Sequence, residues 1–282
     1  MSGAVFCPVG KLEKVLLATD RSEFSDAAVR EAISFAARCS SKLYAMSVME
    51  TNPEYETLGS NLYEKEELEL KAHLDAIKSL ALKEGVDCET VVCHGNEPYK
   101  CIVDEATERK VDMIVIGKRG TKGLMKLMLG EVAAKVIGYA PCKVLVVPKA
   151  AKIEYRTILI ATDGSTYSDA AASEAIGIAK RCGSNIIALS SIQSEAELGE
   201  AQSNVNKILE IAKAEGIPAE GLTPRGRSYE IIVETAGGRG VDLIVVGTYG
   251  RTGFERILMG SSTERVIGLT KCGVLVVKSS RK

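Results

Sequence analysis

The sequence predicts two tandem copies of a doubly wound α/β domain, each built on a five-stranded parallel sheet. Three observations carry this reading. The chain has 282 residues, room for two domains of about 140 residues, close to the commonest domain size. It repeats itself. Within each copy, short runs rich in Val, Ile and Leu alternate with longer amphipathic stretches, the signature of β-α-β units with right-handed crossovers.

The repeat is legible by eye. The run KVLLATDRSEFSDAAVREAISFAARCSSKLYAMSV from Lys14 aligns without gaps to TILIATDGSTYSDAAASEAIGIAKRCGSNIIALSS from Thr157, with about half the positions identical. A second block from Val111, VDMIVIGKRGTKGLMKLMLGEVAAKVIGYAPCKVLVVPK, aligns to the block from Val241. The offset between copies falls from 143 to 130. Most of the difference lies after the second strand, where the first copy holds TNPEYETLGSNLYEKEELE as a loop or helix extension. The domains are assigned to residues 1–150 and 151–282, with a linker over Lys149 to Arg156.

In the second copy the five strand runs are Ile158 to Ala161, Asn185 to Ser190, Pro218 to Thr223, Leu243 to Val246 and Val274 to Val277. Their continuous hydrophobicity requires both faces of the sheet to be covered by helices. Ser168 reads as the N-cap of a helix over Asp169 to Cys182, and apolar periodicity marks another from Glu197 to Ala214. Two domains imply two separate cores.

Composition excludes several classes. With 46% hydrophobic and 26% charged residues and no apolar run of the roughly 18 to 20 residues that a bilayer demands, the chain reads as globular rather than membrane-embedded. The first residues lack a secretory pattern, which points to the cytoplasm. A net charge of −1 supplies no footprint for a polyanion, so nucleic acid is not expected as a partner. The eight cysteines contain no C-x-x-C pair and the two histidines stand apart, so no metal site is expected. The cysteines read as small core hydrophobes rather than reactive thiols. His94, without a sequence partner, reads as structural.

Ligands of open parallel sheets sit beyond the carboxyl ends of the strands, where the winding reverses. Strand one ends in Ala161-Thr162-Asp163-Gly164-Ser165 and strand four in Gly247-Thr248-Tyr249-Gly250-Arg251; nine residues later comes Gly260-Ser261-Ser262-Thr263 at a helix start. The pattern is G-x-x-G-x9-G-S. Glycines let the backbone approach a phosphate closely, and Gly260 and Ser261 present N–H groups at a positive helix end, with the hydroxyls of Ser261 and Ser262 as further donors. A tight βα connection and an Asp-Gly turn are the plainer readings of the glycines and of Asp163. Neither a Walker A sequence nor a Rossmann G-x-G-x-x-G is present.

This spacing, the Ala-Thr-Asp endings of both first strands (Ala18-Thr19-Asp20 and Ala161-Thr162-Asp163), the Ser-x-x-Ser-Asp-Ala-Ala helix starts and the closing V-L-V-V strands resemble the ATP-binding branch of the universal stress protein family, over nearly the whole chain twice. The resemblance implies strand order 3-2-1-4-5 and an adenine nucleotide, ATP or AMP, with magnesium as an optional companion. It implies that Ala161, Thr162 and Asp163 approach the adenine and ribose, that Ser190 and Ser191 border the adenine, and that Val246 and Tyr249 are walls. It further implies that Gly247, Gly250, Gly260, Ser261 and Ser262 hold ribose and phosphates. In the first copy the counterparts are Thr19, Asp20, Val48, Gly117, Gly120 and Gly130. Final strands in this family pair across a two-fold axis. Lys143 to Val147 and Gly273 to Val277 are therefore expected to make a pseudo-dimer within the chain and to offer a route to a homo-oligomer.

The first copy departs at the helix start: Glu131 and Val132 replace Ser261 and Ser262, and Arg21 replaces Gly164. A glutamate there suits the helix dipole but repels a polyphosphate. Either Glu131 stands in for the phosphate, or it turns outward and leaves the crevice to a ligand with less phosphate. The function expected is a stress-response binding module; a slow ATP hydrolase using Asp163 and a scaffold without nucleotide are the competing readings.

Overall fold

The structure, a computed structural model, describes residues 12–51, 60–118, 129–250 and 259–278. In the first copy the elements are β1 Lys14–Ala18, α1 Asp26–Cys39, β2 Lys42–Glu50, α2 Ser60–Lys83, β3 Cys88–Gly95, α3 Pro98–Glu108, β4 Met113–Gly117, α4 Glu131–Tyr139 and β5 Lys143–Val147. The second copy repeats them as β6 Thr157–Ala161, α5 Thr166–Cys182, β7 Asn185–Leu189, α6 Leu198–Ala214, β8 Ala219–Leu222, α7 Ser228–Gly238, β9 Leu243–Gly247, α8 Ser261–Leu269 and β10 Gly273–Val277. A short 3₁₀ turn, Glu195–Glu197, precedes α6.

All ten strands form one sheet in the order β3-β2-β1-β4-β5-β10-β9-β6-β7-β8. Each half has the implied order 3-2-1-4-5 and is parallel throughout. The halves meet where β5 and β10 pair antiparallel, with Leu145 opposite Leu275. The pseudo-dimer is thus built into one chain. The same pairing corrects the expected route to an oligomer. β5 lies between β4 and β10, and β10 between β5 and β9, so neither has a free edge with unpaired N–H and C=O groups to offer another chain.

The cores also differ from expectation, being divided by sheet face and not by domain. One cluster packs α1, α2, α5 and α6 against one face, joining Phe35 and Leu145 of the first copy to Ile178 and Leu275 of the second. The other packs α3, α4, α7 and α8 against the opposite face, joining Ile137 to Leu159 and Ile267. A continuous sheet leaves no gap at the junction, so the helical layers on each face bury one shared surface.

Each copy pins its first strand in the same way. Asp112 Oδ2 accepts the backbone N–H groups of Glu13 and Lys14, and Asp242 accepts those of Tyr155 and Arg156. The Val-Asp pair that opens the second repeat block is a register device. β8 is shorter than β3 because Pro224, lacking an N–H, interrupts it; pairing resumes only as a bridge between Ile192 and Arg225.

One helix start is corrected. The cap of α5 lies three residues before the predicted one: Ser165 is the N-cap and its side chain accepts the N–H of Ser168 at 3.2 Å. Ser168 is buried, its hydroxyl donating to Ser165 O and accepting from Thr162. The two serines share one cap, and the first oxygen in chain order sets the boundary. The cysteines also depart in part from core filler: Cys88 is buried, but Cys39 is disulfide-bonded and half-buried at the end of α1.

At the junction, Tyr155 of the linker packs edge-on against Phe35 with centroids 5.5 Å apart. Lys143 Nζ lies 3.0 Å from Glu174, and Lys118 and Lys278 donate across the junction to Thr270 O and to Gly138 O and Ala140 O. Buried Glu31 accepts a long bond, 3.3 Å, from Ile153 N. Burial pushes its carboxyl above the ordinary 4.5, against the pull of Ile153, Arg30 and Arg38. A native value above the unfolded one gives stability that is full below the unfolded pKa and lost as pH rises through the native pKa. Glu31→Gln keeps an acceptor and loses the charge. It is expected to melt above the parent at pH 7 and level with it near pH 4, as thermal melts at the two pH values would show.

Candidate functional site

Winding reverses between β6 and β9, whose carboxyl ends lie side by side with that of β7. The strand-one loop is a compact turn. Asp163 Oδ1 accepts Ser165 N at 3.0 Å, Thr162 Oγ1 accepts Gly164 N at 3.2 Å, and Thr162 N donates to Leu189 O. Gly164 has φ +75, and a Cβ there would stand 2.5 Å from Asn204 Oδ1 of α6. Glycine takes this conformation without strain and leaves room for the Asn204 amide.

The strand-four loop folds back onto this turn. A Cβ on Gly250 would lie 2.6 Å from Asp163 Oδ2, so the second glycine of the motif is where the aspartate carboxylate meets the other loop. A Cβ on Gly247 would strike Tyr167 backbone atoms at 2.8 and 2.9 Å; this first glycine serves the close packing of α5 on β9. Gly260 N donates to Thr248 O at 3.0 Å, which brings the start of α8 beside the loop, and Thr263 Oγ1 donates to Gly247 O. Gly260 caps α8 without a side-chain bond, and Ser261 and Ser262 are exposed in its first turn. Helix N–H groups left open in this way form an anion site in principle.

The sequence-derived residues sort as follows. Asp163, Gly250, Gly260, Ser261 and Ser262 come together around one crevice, with Ala161 and Thr162 behind them. Tyr249 covers it from the side, its ring 5.3 Å from that of Tyr167. Ser190 is buried just past the end of β7, and Ser191 Oγ donates to Ser228 at the start of α7. The Val246 side chain is packed in the core cluster with Leu159 and Met259. Arg251 and Gly120 lie outside the described residues. Tyr167, Asn204, Thr248 and Thr263 were not singled out by sequence reasoning. Asn204 stands on a helix far along the chain, and only its alignment with His73 of the first copy hints at a role.

The first copy makes the same turn and then occupies it. Asp20 Oδ1 accepts Ser22 N, and Thr19 Oγ1 accepts Arg21 N, as in the second copy. Arg21 adopts φ +66, the left-handed region that Gly164 holds freely. Its guanidinium donates to Glu69 at 3.2 Å and to Glu66 at 3.5 Å. Both glutamates sit on α2, 24 residues against the 17 of α6. His73 Nε2 is 3.1 Å from Thr19 Oγ1, which also pairs with Ser25. Burial, then Arg21, holds the His73 ring below its usual pKa. Val48 is half-buried on β2, and Gly117 and Gly130 keep their places at the end of β4 and the start of α4. Glu131 turns outward: its side chain is 80% exposed and paired with Lys135 at 2.7 Å, which holds its carboxyl below the usual range. Of the two orientations left open by the sequence, the side chain takes the outward one.

An open groove of about 500 Å³ lined by Leu222, Pro224, Glu234 and Arg239 lies at the outer edge of the sheet, apart from the glycine loops. No described helix is long and apolar enough to cross a membrane.

The comparisons with known proteins follow the same repeat. A universal stress protein of Methanocaldococcus jannaschii is 37% identical over 144 residues, covering 45% of this chain and 85% of its own length. One from Synechocystis is 30% identical over 149 residues, covering 48% and 96%. The crystal structure of a universal stress protein from Archaeoglobus fulgidus superposes with TM-score 0.74 over 95% of this chain and 98% of its own, at 21% identity, a likeness of fold. The Universal stress protein family matches residues 11–148 and again 154–278, and this chain belongs to that family with two copies of its domain in tandem.

Proposed function

We propose that this universal stress protein binds one adenine nucleotide per chain, in the crevice of the second copy, and acts as a binding module rather than a hydrolase. One observation carries the reading. The Asp163 carboxylate lies against the Cα of Gly250, in front of the uncapped start of α8. That arrangement offers a carboxylate to ribose hydroxyls and backbone N–H groups to phosphate oxygens, at the strand ends where open sheets bind ligands. Hydrolysis would need a positioned base and charge stabilisation at the transferred phosphate. Asp163 is engaged by Ser165 N and serves the turn.

The first copy supports a count of one. Arg21 fills the loop position that is glycine in the second copy, and Glu66, Glu69 and His73 close over it. Calorimetric titration with ATP, ADP and AMP tests the proposal, with a stoichiometry near one expected. Ser261→Glu copies Glu131 into the second site. Arg265 stands where Lys135 does and can draw the new carboxylate outward, so a loss of about tenfold is expected, about 1.4 kcal/mol. No binding of any adenine nucleotide by the parent protein would sink the reading.

A further inference from the structure

The strongest unused chemistry lies in the first copy, away from the proposed nucleotide crevice. Cys93 is on β3, opposite Val48 of β2, and Cys101 is in the first turn of α3. The Cys93 side chain neighbours the Cys101 thiol, Gly95 lying two residues further along the same face of β3. Cys93 Sγ is on the solvent side, 3.9 Å from His94 O. Cys101 Sγ rests on Gly95, where a Cβ would stand only 2.8 Å from the sulfur. The missing side chain makes the space that lets the helix thiol reach the strand.

The second copy shows that packing does not call for sulfur here. Gly226 keeps the place of Gly95, and Ile231 fills the slot of Cys101, its Cδ1 lying 3.0 Å from the Cβ that glycine lacks. Pro224 stands where Cys93 does. The same architecture holds hydrocarbon in one copy and two facing thiols in the other.

We propose that Cys93 and Cys101 form an oxidisable dithiol, a modification site at which a hydroperoxide converts the pair into a disulfide joining β3 to α3. Cys93, the outer sulfur, attacks the peroxide as thiolate; the O–O bond breaks, giving Cys93 sulfenic acid and a hydroxide that takes up a proton. The Cys101 sulfur then attacks the Cys93 sulfur, the S–O bond breaks, and water leaves with the Cys101 proton. The sum is two thiols and one hydrogen peroxide to one disulfide and two waters. A thiol on a strand and one on the helix packed over it reach bonding distance by side-chain rotation at the solvent-side residue.

The order of attack follows from the surroundings. Burial pushes the Cys101 thiol up to about 12, with neighbouring Cys93 adding to it, so the outer Cys93 is the sulfur that meets the peroxide first. Once Cys93 is a neutral sulfenic acid its charge no longer opposes Cys101, which resolves it.

Peptide mapping of the native full-length protein tests this. Trypsin cuts after Lys83, Lys100 and Arg109, so Cys93 falls on peptide 84–100 with Cys88, and Cys101 on peptide 101–109. After brief hydrogen peroxide treatment and alkylation without reductant, the expected product is these two peptides cross-linked, with fragmentation placing the bond on Cys93. Both free thiols should disappear together and return together with dithiothreitol. In Cys101→Ser, dimedone should trap a sulfenic acid on Cys93. The proposal is overturned if Cys93 accumulates sulfinic acid while Cys101 remains alkylatable, if the cross-link runs through Cys88, or if both thiols survive while other cysteines oxidise. The parent protein alone decides between these outcomes, whatever the variant's folding.

Discussion

Gly250→Val is expected to lower adenine-nucleotide affinity by about 100-fold, about 2.8 kcal/mol, while leaving the melting temperature nearly unchanged. Any β-carbon at this position meets Asp163 Oδ2 at 2.6 Å, so the carboxylate must leave the place where it faces the crevice. A branched side chain also stands between the strand-four loop and the start of α8, since Gly250 N lies 3.7 Å from where a Cβ on Gly260 would be. Gly250 is not among the glycines with positive φ, so valine suffers no backbone strain there, and the residue is only half-buried. The variant therefore separates site from fold. Calorimetry reads the affinity and circular dichroism the melt; a valine variant that binds like the parent would remove this loop from the site.

Leu275→Ala carries the largest expected loss of stability. Leu275 is 1% exposed, pairs with Leu145 across the junction and belongs to the core cluster that runs through both copies. Truncation of a buried leucine costs about 2–5 kcal/mol, on the order of 5–10 °C in Tm for a cooperative unit of this size. Because each helical layer buries one surface common to both halves, the whole chain is expected to unfold in a single transition that shifts as one. A scanning-calorimetry trace with two transitions, of which only one moves, would show that the halves have separate cores after all.

Much of this molecule could be read in one dimension. A gapless repeat and five apolar runs per copy specify doubly wound sheets, because hydrophobicity continuous along a strand requires cover on both faces. The glycine spacing was equally local, since Gly250 and Gly260 matter for what they lack. Glu131 against Ser261 is visible in a direct alignment. What the alignment could not show is that Glu131 swings to Lys135, or that Arg21 is held by Glu66 and Glu69. The Arg21 contacts join a loop to a helix more than 40 residues away. The cap of α5 was misplaced by three residues because Ser165 and Ser168 are chemically equivalent candidates, and only burial of Ser168 distinguishes them.

The sequence by itself determined the repeat, the fold of each half, the strand endings that form the crevice and the residues by which the two crevices differ. Those are properties of local pattern: period, glycine position and the side chain at a helix start. Tertiary structure alone decided that two domains share cores face by face, and that Arg21 pairs with Glu66 and Glu69 of α2. It also decided that Cys93 and Cys101 meet over Gly95. Each of these depends on which distant surfaces come into contact. Apolar burial and edge pairing are non-directional along the chain, so no local signal records the partner that finally satisfies them.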